Sequence, residues 1–188
     1  MGEGMTRRIG TAMDDVTIRP ARLADIRDMQ HIEIVAGRAF IDVGLPEIAG
    51  DEPLPTGEMA AYIEAGRAWV ATAEAGGRVV GYVLADVVDG NGHVEQVSVH
   101  PELAGRRIGS RLIDTVGDWA MAHQMAALTL TTFREVPWNA PYYERLGFQA
   151  VEDGERGPEL VALMGREAAH GLEPARRVAM IRGTSIST

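Results

Sequence analysis

The sequence predicts an α+β domain: a mixed, mostly antiparallel, twisted sheet of about six to seven strands with helices on both faces. Three observations carry this prediction. Strand and helix patterns alternate along the chain, a three-strand meander lies in its middle, and a strand–helix–strand unit follows the meander. The 188 residues suit one domain, assigned to residues 15–182, between an N-terminal tail, residues 1–14, and a C-terminal tail, residues 183–188.

The first part of the chain alternates between a strand and two helices. A short apolar run over 16–19, closed by Pro20, predicts the first strand. Apolar residues at three- and four-residue steps predict a helix over 22–40. The segment 42–56 is rich in glycine and proline and is predicted as a loop, and a short helix is expected over 57–65.

The meander and its crossover define the middle of the domain. Strands are predicted over 68–74, 78–88 and 93–99, separated by Gly76-Gly77 and by a turn at 89–92. A helix over 105–123 and a strand over 127–131 follow, so the strands on either side of that helix should be parallel. A short helix over 139–146, a strand over 148–151, a helix over 157–170 and a last strand within 174–181 complete the order.

Composition excludes several classes of chemistry. The chain has no cysteine and no lysine, which excludes disulfides, thiolate metal sites, a cysteine nucleophile and a Schiff-base lysine. The histidines show no ligand spacing, so no metal is expected. With 18 basic and 27 acidic residues, the net charge of −9 argues against nucleic acid and favours small cationic partners.

The sequence also bears on location. No apolar run approaches the ~18 residues of a membrane span, so no membrane partner is expected. No apolar core follows Arg7 and Arg8, so the N-terminus does not resemble a secretory signal. The expected location is the cytoplasm.

The first candidate site is a junction between a strand and a helix. The strand ends with Val97, Ser98 and Val99, and the junction itself comprises Ala104, Gly105, Arg106, Arg107, Ile108, Gly109 and Ser110. Unpaired amides at a helix N-terminus carry partial positive charge and suit a phosphate, which glycine allows to approach closely. An ordinary junction with solvent-facing arginines explains the same residues about equally well.

The second candidate is the aromatic segment from Pro137 to Phe148. Trp138, Asn139, Tyr142 and Tyr143 crowd a short helix. A tyrosine whose hydroxyl faces a pocket can donate a proton, although a packed aromatic helix accounts for the same pattern.

The third candidate is the strand segment His93-Val94-Glu95. The two-residue period of a strand predicts that His93, Glu95 and Val97 share one face. An inward-pointing Glu95 would be a candidate general base, and a solvated strand residue is the equally weighted alternative.

Taken together, the first two motifs resemble the GCN5-related N-acetyltransferase (GNAT) family over residues 16–181. The family loop Arg/Gln-x-x-Gly-x-Gly/Ala corresponds to 104–109, where Gly109 matches and Ala104 and Arg107 depart from the pattern. The run Asn139-x-x-Tyr142-Tyr143-x-x-x-Gly147-Phe148 is similar to the family's second motif, and its spacing puts Tyr143 at the family's proton-donating tyrosine.

This resemblance implies a GNAT-like fold and acetyl-CoA as cofactor. Val97 and Val99 would offer backbone groups to the pantetheine arm, the amides of 105–110 would hold the pyrophosphate, and Asn139 would steady the pantetheine. Glu95 would deprotonate the amine, directly or through water, and Tyr143 would protonate the leaving thiolate. The resemblance further suggests a homodimer, which is common among similar proteins.

The acceptor implied is a primary amine of a small molecule or peptide, and polyamine, aminoglycoside, amino acid and peptide N-terminus all remain open. The segment 41–56 should wall the acceptor site, and its acidic residues Asp42, Glu47, Asp51 and Glu52 suit a cationic amine or are simply solvated. Phe40, Trp138 and Tyr142 either line that site or pack. The alternative function is a non-catalytic acyl-CoA-binding or sensing module.

Overall fold

The computed structural model describes residues 16–73 and 77–184. The N-terminal tail predicted at 1–14, Gly76 of the first meander turn and the last four residues of the predicted C-terminal tail lie outside the described residues. Gly183 and Thr184 are described, and the Thr184 N–H donates to the carbonyl of Ala126 at 3.0 Å. The described residues therefore continue two positions past residue 182.

Within residues 16–73 and 77–184, seven strands form one sheet in the order β1-β2-β3-β4-β5-β7-β6. They are β1 (Val16–Pro20), β2 (Ala68–Ala73), β3 (Val79–Val88), β4 (Asn91–Val99), β5 (Ala127–Phe133), β6 (Gln149–Ala150) and β7 (Arg177–Gly183). Only β4 and β5 pair in parallel, as expected for strands joined by a helix, and every other neighbouring pair is antiparallel. The predicted mixed sheet is confirmed, although β6 has only two residues.

Six α-helices accompany the sheet in the described part of the chain. They are α1 (Ile26–Gly37), α2 (Pro46–Ala49), α3 (Thr56–Glu64), α4 (Ile108–Ala122), α5 (Ala140–Arg145) and α6 (Pro158–Ala169). The predicted first helix is shorter than expected because 3-10 turns flank it at Leu23–Asp25 and Arg38–Val43. The predicted loop over 42–56 contains α2, whose first residue Pro46 is preorganised for a helix. No helix among the described residues is long and apolar enough to cross a membrane.

Both faces of the sheet are covered. The helices α4 and α5 lie on one face, where Leu112, Ile113 and Val116 of α4 are completely buried. On the other face, Met29 of α1 and Met59 of α3 are completely buried against β2 and β3. Burying each such side chain stabilises the fold by roughly 1.5–3 kcal/mol, which makes these two layers the core.

The helix α6 covers the second face beside β7, and the turn between β3 and β4 fixes its start. The Asp89 carboxylate accepts from the N–H groups of Glu159 (3.0 Å) and Leu160 (2.9 Å), and the Glu159 carboxylate accepts from the Asp89 N–H in return. This is a reciprocal cap supplied by a distant turn, and it satisfies amides at the N-terminus of α6 that have no partner within the helix.

Candidate functional site

A gap between β4 and β5 organises the candidate site. In the described chain these strands pair only at Gly92–Leu128 and His93–Thr129, and beyond those positions they separate. On the other side of the strand, residues 94–99 of β4 remain in the antiparallel hydrogen-bonded pairing with β3. The edge of β4 that faces the gap therefore carries backbone groups available to an extended ligand.

A β-bulge places Glu95 at this gap. Leu84 of β3 pairs with Gln96 and the next residue, Ala85, pairs with Val94, so Glu95 is the extra residue. Val94 and Val97 consequently pack into the same apolar cluster under α4, although they are three positions apart. The prediction that Val97 shares a face with His93 and Glu95 is wrong, because the bulge shifts the alternation by one residue.

The carboxyl of Glu95 lies on the face opposite α4. Although 38 % of the side-chain surface is exposed, desolvation raises the pKa of this carboxyl, and the negative charges of Asp86 and Glu167 raise it further. The positive charges of Arg166 and Arg177 oppose part of this rise. A carboxyl with a raised pKa is a stronger proton acceptor once it is ionised, which suits a general base.

His93 is buried beside Glu95, and its side chain is only 1 % exposed. Its Nδ1 lies 2.9 Å from Oγ1 of Thr129, and its Nε2 lies 4.0 Å from the Glu95 carboxylate. Burial lowers the pKa of His93 from 6.5 to about 4, so the ring is neutral at pH 7. A neutral His93 does not compete with a cationic amine for the Glu95 carboxylate.

Two ion pairs that influence Glu95 were not predicted from the sequence. Arg67 pairs with Asp86, and Arg177 pairs with Glu167 at 2.8 Å. The Glu167 carboxylate also accepts from the Thr131 hydroxyl of β5. Glu167, Arg177 and Thr131 are far apart in the sequence and belong to different elements, so no spacing pattern pointed to them.

A buried polar network on the same face was also missed. The Tyr82 hydroxyl donates to the Glu33 carboxylate at 2.8 Å, and the Leu54 N–H approaches the same oxygen at 3.4 Å. On β4, Gln96 Nε2 donates to the Ser98 hydroxyl at 3.1 Å. The Ser98 side chain is thus engaged within the protein, and only its backbone remains for the cofactor role predicted for it.

The predicted phosphate-binding junction has the backbone geometry of an anion site. The first hydrogen bond of α4 runs from the Arg111 N–H to the Arg107 carbonyl, so the amides of Ile108, Gly109 and Ser110 precede it. Gly105 (φ 79°) and Arg107 (φ 59°) both adopt the left-handed conformation, which delays the helix start from 105 to 108. The arginine at 107, a departure from the family pattern, therefore occupies a position that favours glycine.

The approach to this junction is narrow at Gly109. A Cβ added there would lie 3.1 Å from the Tyr142 hydroxyl and 3.8 Å from Val99 Cγ2. The absence of a side chain thus keeps the backbone of the first helical turn accessible, as binding of a pyrophosphate requires. Ala104, Arg106 and Ser110 lie around the same turn, and the Ser110 hydroxyl donates to the Arg107 carbonyl at 2.9 Å.

The two adjacent tyrosines of α5 occupy different environments. Tyr143 is buried in the cluster under α4, near Tyr142 and Phe148, and burial raises the pKa of its phenol. Tyr142 is half-buried with its hydroxyl beside Gly109. Asn139 begins this helix, and its carbonyl accepts from both tyrosine N–H groups, at 2.8 and 3.0 Å. Tyr142 thus faces α4 and does not belong with Phe40 and Trp138.

Phe40 and Trp138 do lie together, and Phe133 joins them. The ring centroids of Phe40 and Phe133 are 5.7 Å apart, and those of Phe40 and Trp138 are 5.8 Å apart in an edge-on arrangement. Phe133 lies on the same face of β5 as Thr129 and Thr131, since side chains of a strand alternate. The alternation of these three residues was a usable sequence signal.

Comparison with known proteins identifies the family. A model described as the acetyltransferase (GNAT) family matches residues 38–148. A GNAT-family acetyltransferase from Staphylococcus aureus Mu50 is 12% identical, with a TM-score of 0.66 over 91% of this chain and 100% of that one. Rv2747 from Mycobacterium tuberculosis, solved in complex with CoA, is 20% identical, with a TM-score of 0.65 over 89% of this chain and 98% of that one.

The ribosomal-protein-S18-alanine N-acetyltransferase of Escherichia coli is 17% identical, with a TM-score of 0.60 over 93% of this chain and 97% of that one. These structures share the fold described above, and the family model covers more than half of the chain. The chain therefore belongs to the acetyltransferase (GNAT) family.

Proposed function

We propose that the chain transfers the acetyl group of acetyl-CoA directly to a primary amine of a small molecule or peptide. The observation that carries this proposal is the gap between β4 and β5. A carboxylate with a raised pKa, Glu95, lies on one face of the sheet at the gap, and Tyr143 of α5 lies on the other face. Holding the two reactants side by side in such a gap supplies much of the rate.

The residues around the gap fit the cofactor. The accessible edge of β4 at Val97, Ser98 and Val99 suits the amide groups of a pantetheine arm. The amides of the α4 start suit the pyrophosphate, because Gly109 leaves the backbone uncovered. Asn139 is proposed to steady the pantetheine from the start of α5.

Two side chains, Glu95 and Tyr143, are proposed to accept and donate the protons of the reaction. When bound, acetyl-CoA supplies the acetyl group and a thiolate leaving group. Glu95 accepts a proton from the entering ammonium, directly or through water, so that the nitrogen attacks as a free amine. Tyr143 is protonated at pH 7, as an ordinary tyrosine would be, and burial raises the pKa of its phenol further; Tyr143 is the proposed proton donor to the thiolate.

Gly109 provides the test of the cofactor site. Gly109→Trp should weaken acetyl-CoA binding, measured by titration calorimetry, because the indole would fill the approach to the first turn of α4. Gly165→Trp, on α6, has open space around its Cβ position and is the matched control. Unchanged affinity in Gly109→Trp would place the pyrophosphate elsewhere.

Glu95 provides the test of the base. In the wild type, kcat/KM should fall as the pH drops through the raised pKa of Glu95, because a protonated carboxyl accepts no proton. Glu95→Gln should lower turnover, remove this part of the pH profile and leave acetyl-CoA affinity nearly intact. An unaltered profile would assign the base role to water or another carboxylate.

Tyr143 provides the test of the acid. Tyr143→Phe removes one hydroxyl and should reduce kcat by about 10²-fold, the lower end for a general acid, since a thiolate leaves readily. Tyr142→Phe is the matched control and should have a smaller effect. Full activity of Tyr143→Phe would mean that this tyrosine only packs.

Release of free CoA in the presence of a panel of amines separates the enzyme from the alternative, an acyl-CoA sensing module. The module would bind acetyl-CoA, detected by a thermal shift, and release no CoA with any amine. A cytoplasmic location and a homodimer are further parts of the proposal. Cell fractionation and light scattering during gel filtration test them.

A further inference from the structure

The face of the sheet that carries Glu95 also carries other carboxylates and an aromatic group, which we define as Phe40, Phe133 and Trp138. Phe133 is only 5 % exposed, whereas Trp138 is 40 % exposed at the outer end of the group. The group is thus anchored in the core and accessible at its rim, as an aromatic binding surface requires.

Two arginines of this face already bind carboxylates of the protein. The guanidinium of Arg67 is held by Asp86, and that of Arg177 is held by Glu167 while lying 4.8 Å above the Phe133 ring. Arg177 and Glu167 are only 10 % and 18 % exposed, so their pairing is retained in the folded protein. Breaking it to bind a substrate carboxylate would leave Glu167 buried and unpaired.

Among the described residues, no arginine forms an ion pair with the Glu95 carboxylate. Its nearest cationic partner, at 4.0 Å, is the ring of His93, which is neutral at pH 7. Arg166 of α6 influences the pKa of Glu95 but is solvent-exposed. The position beside Glu95 therefore favours an ammonium group and disfavours a carboxylate.

The spacing between Glu95 and the aromatic group limits the length of the acceptor. His93 pairs with Thr129, and Glu95 and Thr131 each follow two residues later, on strands that separate from this point. Phe133 follows two residues later on the same face, about 7 Å further along the strand. A chain of two or three bonds spans up to ~4 Å, and the hydrogen bond to the carboxylate (~2.8 Å) and the width of the ring (~2.8 Å) add the remaining distance.

We propose that the acceptor is a cationic amine joined by a short chain to an aromatic ring and lacking a carboxylate. The proposal rests on the acetyl transfer proposed above and narrows its acceptor class. The ring packs against Phe40 and Trp138, and the nitrogen lies at Glu95. A polyamine lacks the ring, and an α-amino acid adds the disfavoured carboxylate.

Three matched amines test the acceptor class. Initial rates of CoA release are measured with acetyl-CoA and 2-phenylethylamine, n-butylamine or phenylalanine. The second amine lacks the ring, and the third adds only a carboxylate. We expect kcat/KM for 2-phenylethylamine to exceed both others by about tenfold or more, as burial of a ring and loss of an unpaired charge each contribute at this scale.

Variants at Trp138 test the aromatic group itself. Trp138→Leu should lower kcat/KM for 2-phenylethylamine about tenfold through KM, with little change for n-butylamine, and Trp138→Phe should restore most of the loss. The KM for acetyl-CoA should stay constant in both variants. An equal loss for both amines would assign Trp138 a structural role and overturn the inference.

The failures of the two proposals are distinguishable. Turnover of n-butylamine or phenylalanine equal to that of 2-phenylethylamine overturns the acceptor class and leaves acetyl transfer standing. No turnover of 2-phenylethylamine also overturns the acceptor class. Only if acetyl-CoA also fails to bind in calorimetry, or binds without CoA release for any amine, does the proposed function fall with it.

Discussion

Burial of His93 should make the protein less stable as the pH falls from 6.5 to 4. The pKa of His93 is lowered from 6.5 to about 4 because its side chain is 1 % exposed. Between these two values the unfolded chain binds the proton and the folded chain does not. The contribution of neutral His93 to the stability is therefore fully present above pH 6.5, and it is lost as the pH falls toward the folded-state pKa.

The size of the effect follows from the two pKa values. The difference corresponds to about 3 kcal/mol of unfolding free energy, with a slope of at most about 1.4 kcal/mol per pH unit. Glu33 and Glu95 act in the opposite direction, because burial raises the pKa of each and their contribution is lost as the pH rises. The His93 contribution must therefore be isolated as a difference between two proteins.

His93→Asn provides that difference. Asparagine keeps a polar atom near the position of Nδ1, within reach of Thr129, and does not titrate. Urea unfolding of both proteins is measured from pH 8 to pH 4 at constant ionic strength, and the value at pH 8 gives the cost of the substitution itself. The stability of the wild type relative to the variant should fall by about 3 kcal/mol across this range.

The reasoning would be refuted if the difference in unfolding free energy between the wild type and His93→Asn stayed constant from pH 8 to pH 4, within about 0.5 kcal/mol. It would mean that the environment of His93 supports the charged ring as well as water does.

Three further substitutions test other features of the fold by urea unfolding. Asp89→Ala removes the acceptor of two amides at the start of α6 and should cost about 1–2 kcal/mol, whereas Asp89→Asn should cost less. Gly92→Ala places a Cβ 2.9 Å from Leu128 Cδ2 and 3.0 Å from Ala120 Cβ and should cost about 1–3 kcal/mol; a neutral result would show that these side chains adjust easily. Arg107→Gly relieves a left-handed φ of 59° and should stabilise by up to about 1 kcal/mol, so a loss of stability would contradict the assigned strain.

The alternation of apolar residues predicted most of the fold. The pattern in α4 and the strands around it was strong because one face of each element is buried, and burial is what hydrophobic periodicity reports. The predicted ends of the helices and strands were less accurate. The start of α4 shifted from 105 to 108 because left-handed residues at Gly105 and Arg107 hold the chain outside the helix.

The candidate site could be predicted only where its residues are local in sequence. The junction at 104–110 and the pair Tyr142-Tyr143 were identified because their spacing on one element decides their geometry. The bulge at Glu95 could not be, since it depends on how β4 pairs with β3 and separates from β5. The contact of Thr131 with Glu167 joins a strand to a distant helix, and no local pattern encodes it.

The position of β7 sets the order in which the protein can be completed during synthesis. β7 is made last among the strands, yet it pairs with β5 over seven positions, from Ala127–Gly183 to Phe133–Arg177. Until the ribosome has released residues 177–183, one edge of β5 has no partner, and such an edge invites pairing with other chains. The meander can assemble early, whereas the half of the sheet that carries Thr131 and Phe133 closes only after residues 177–183 have left the ribosome. A nascent chain arrested before residue 177 should therefore aggregate readily and should depend on chaperones for its solubility.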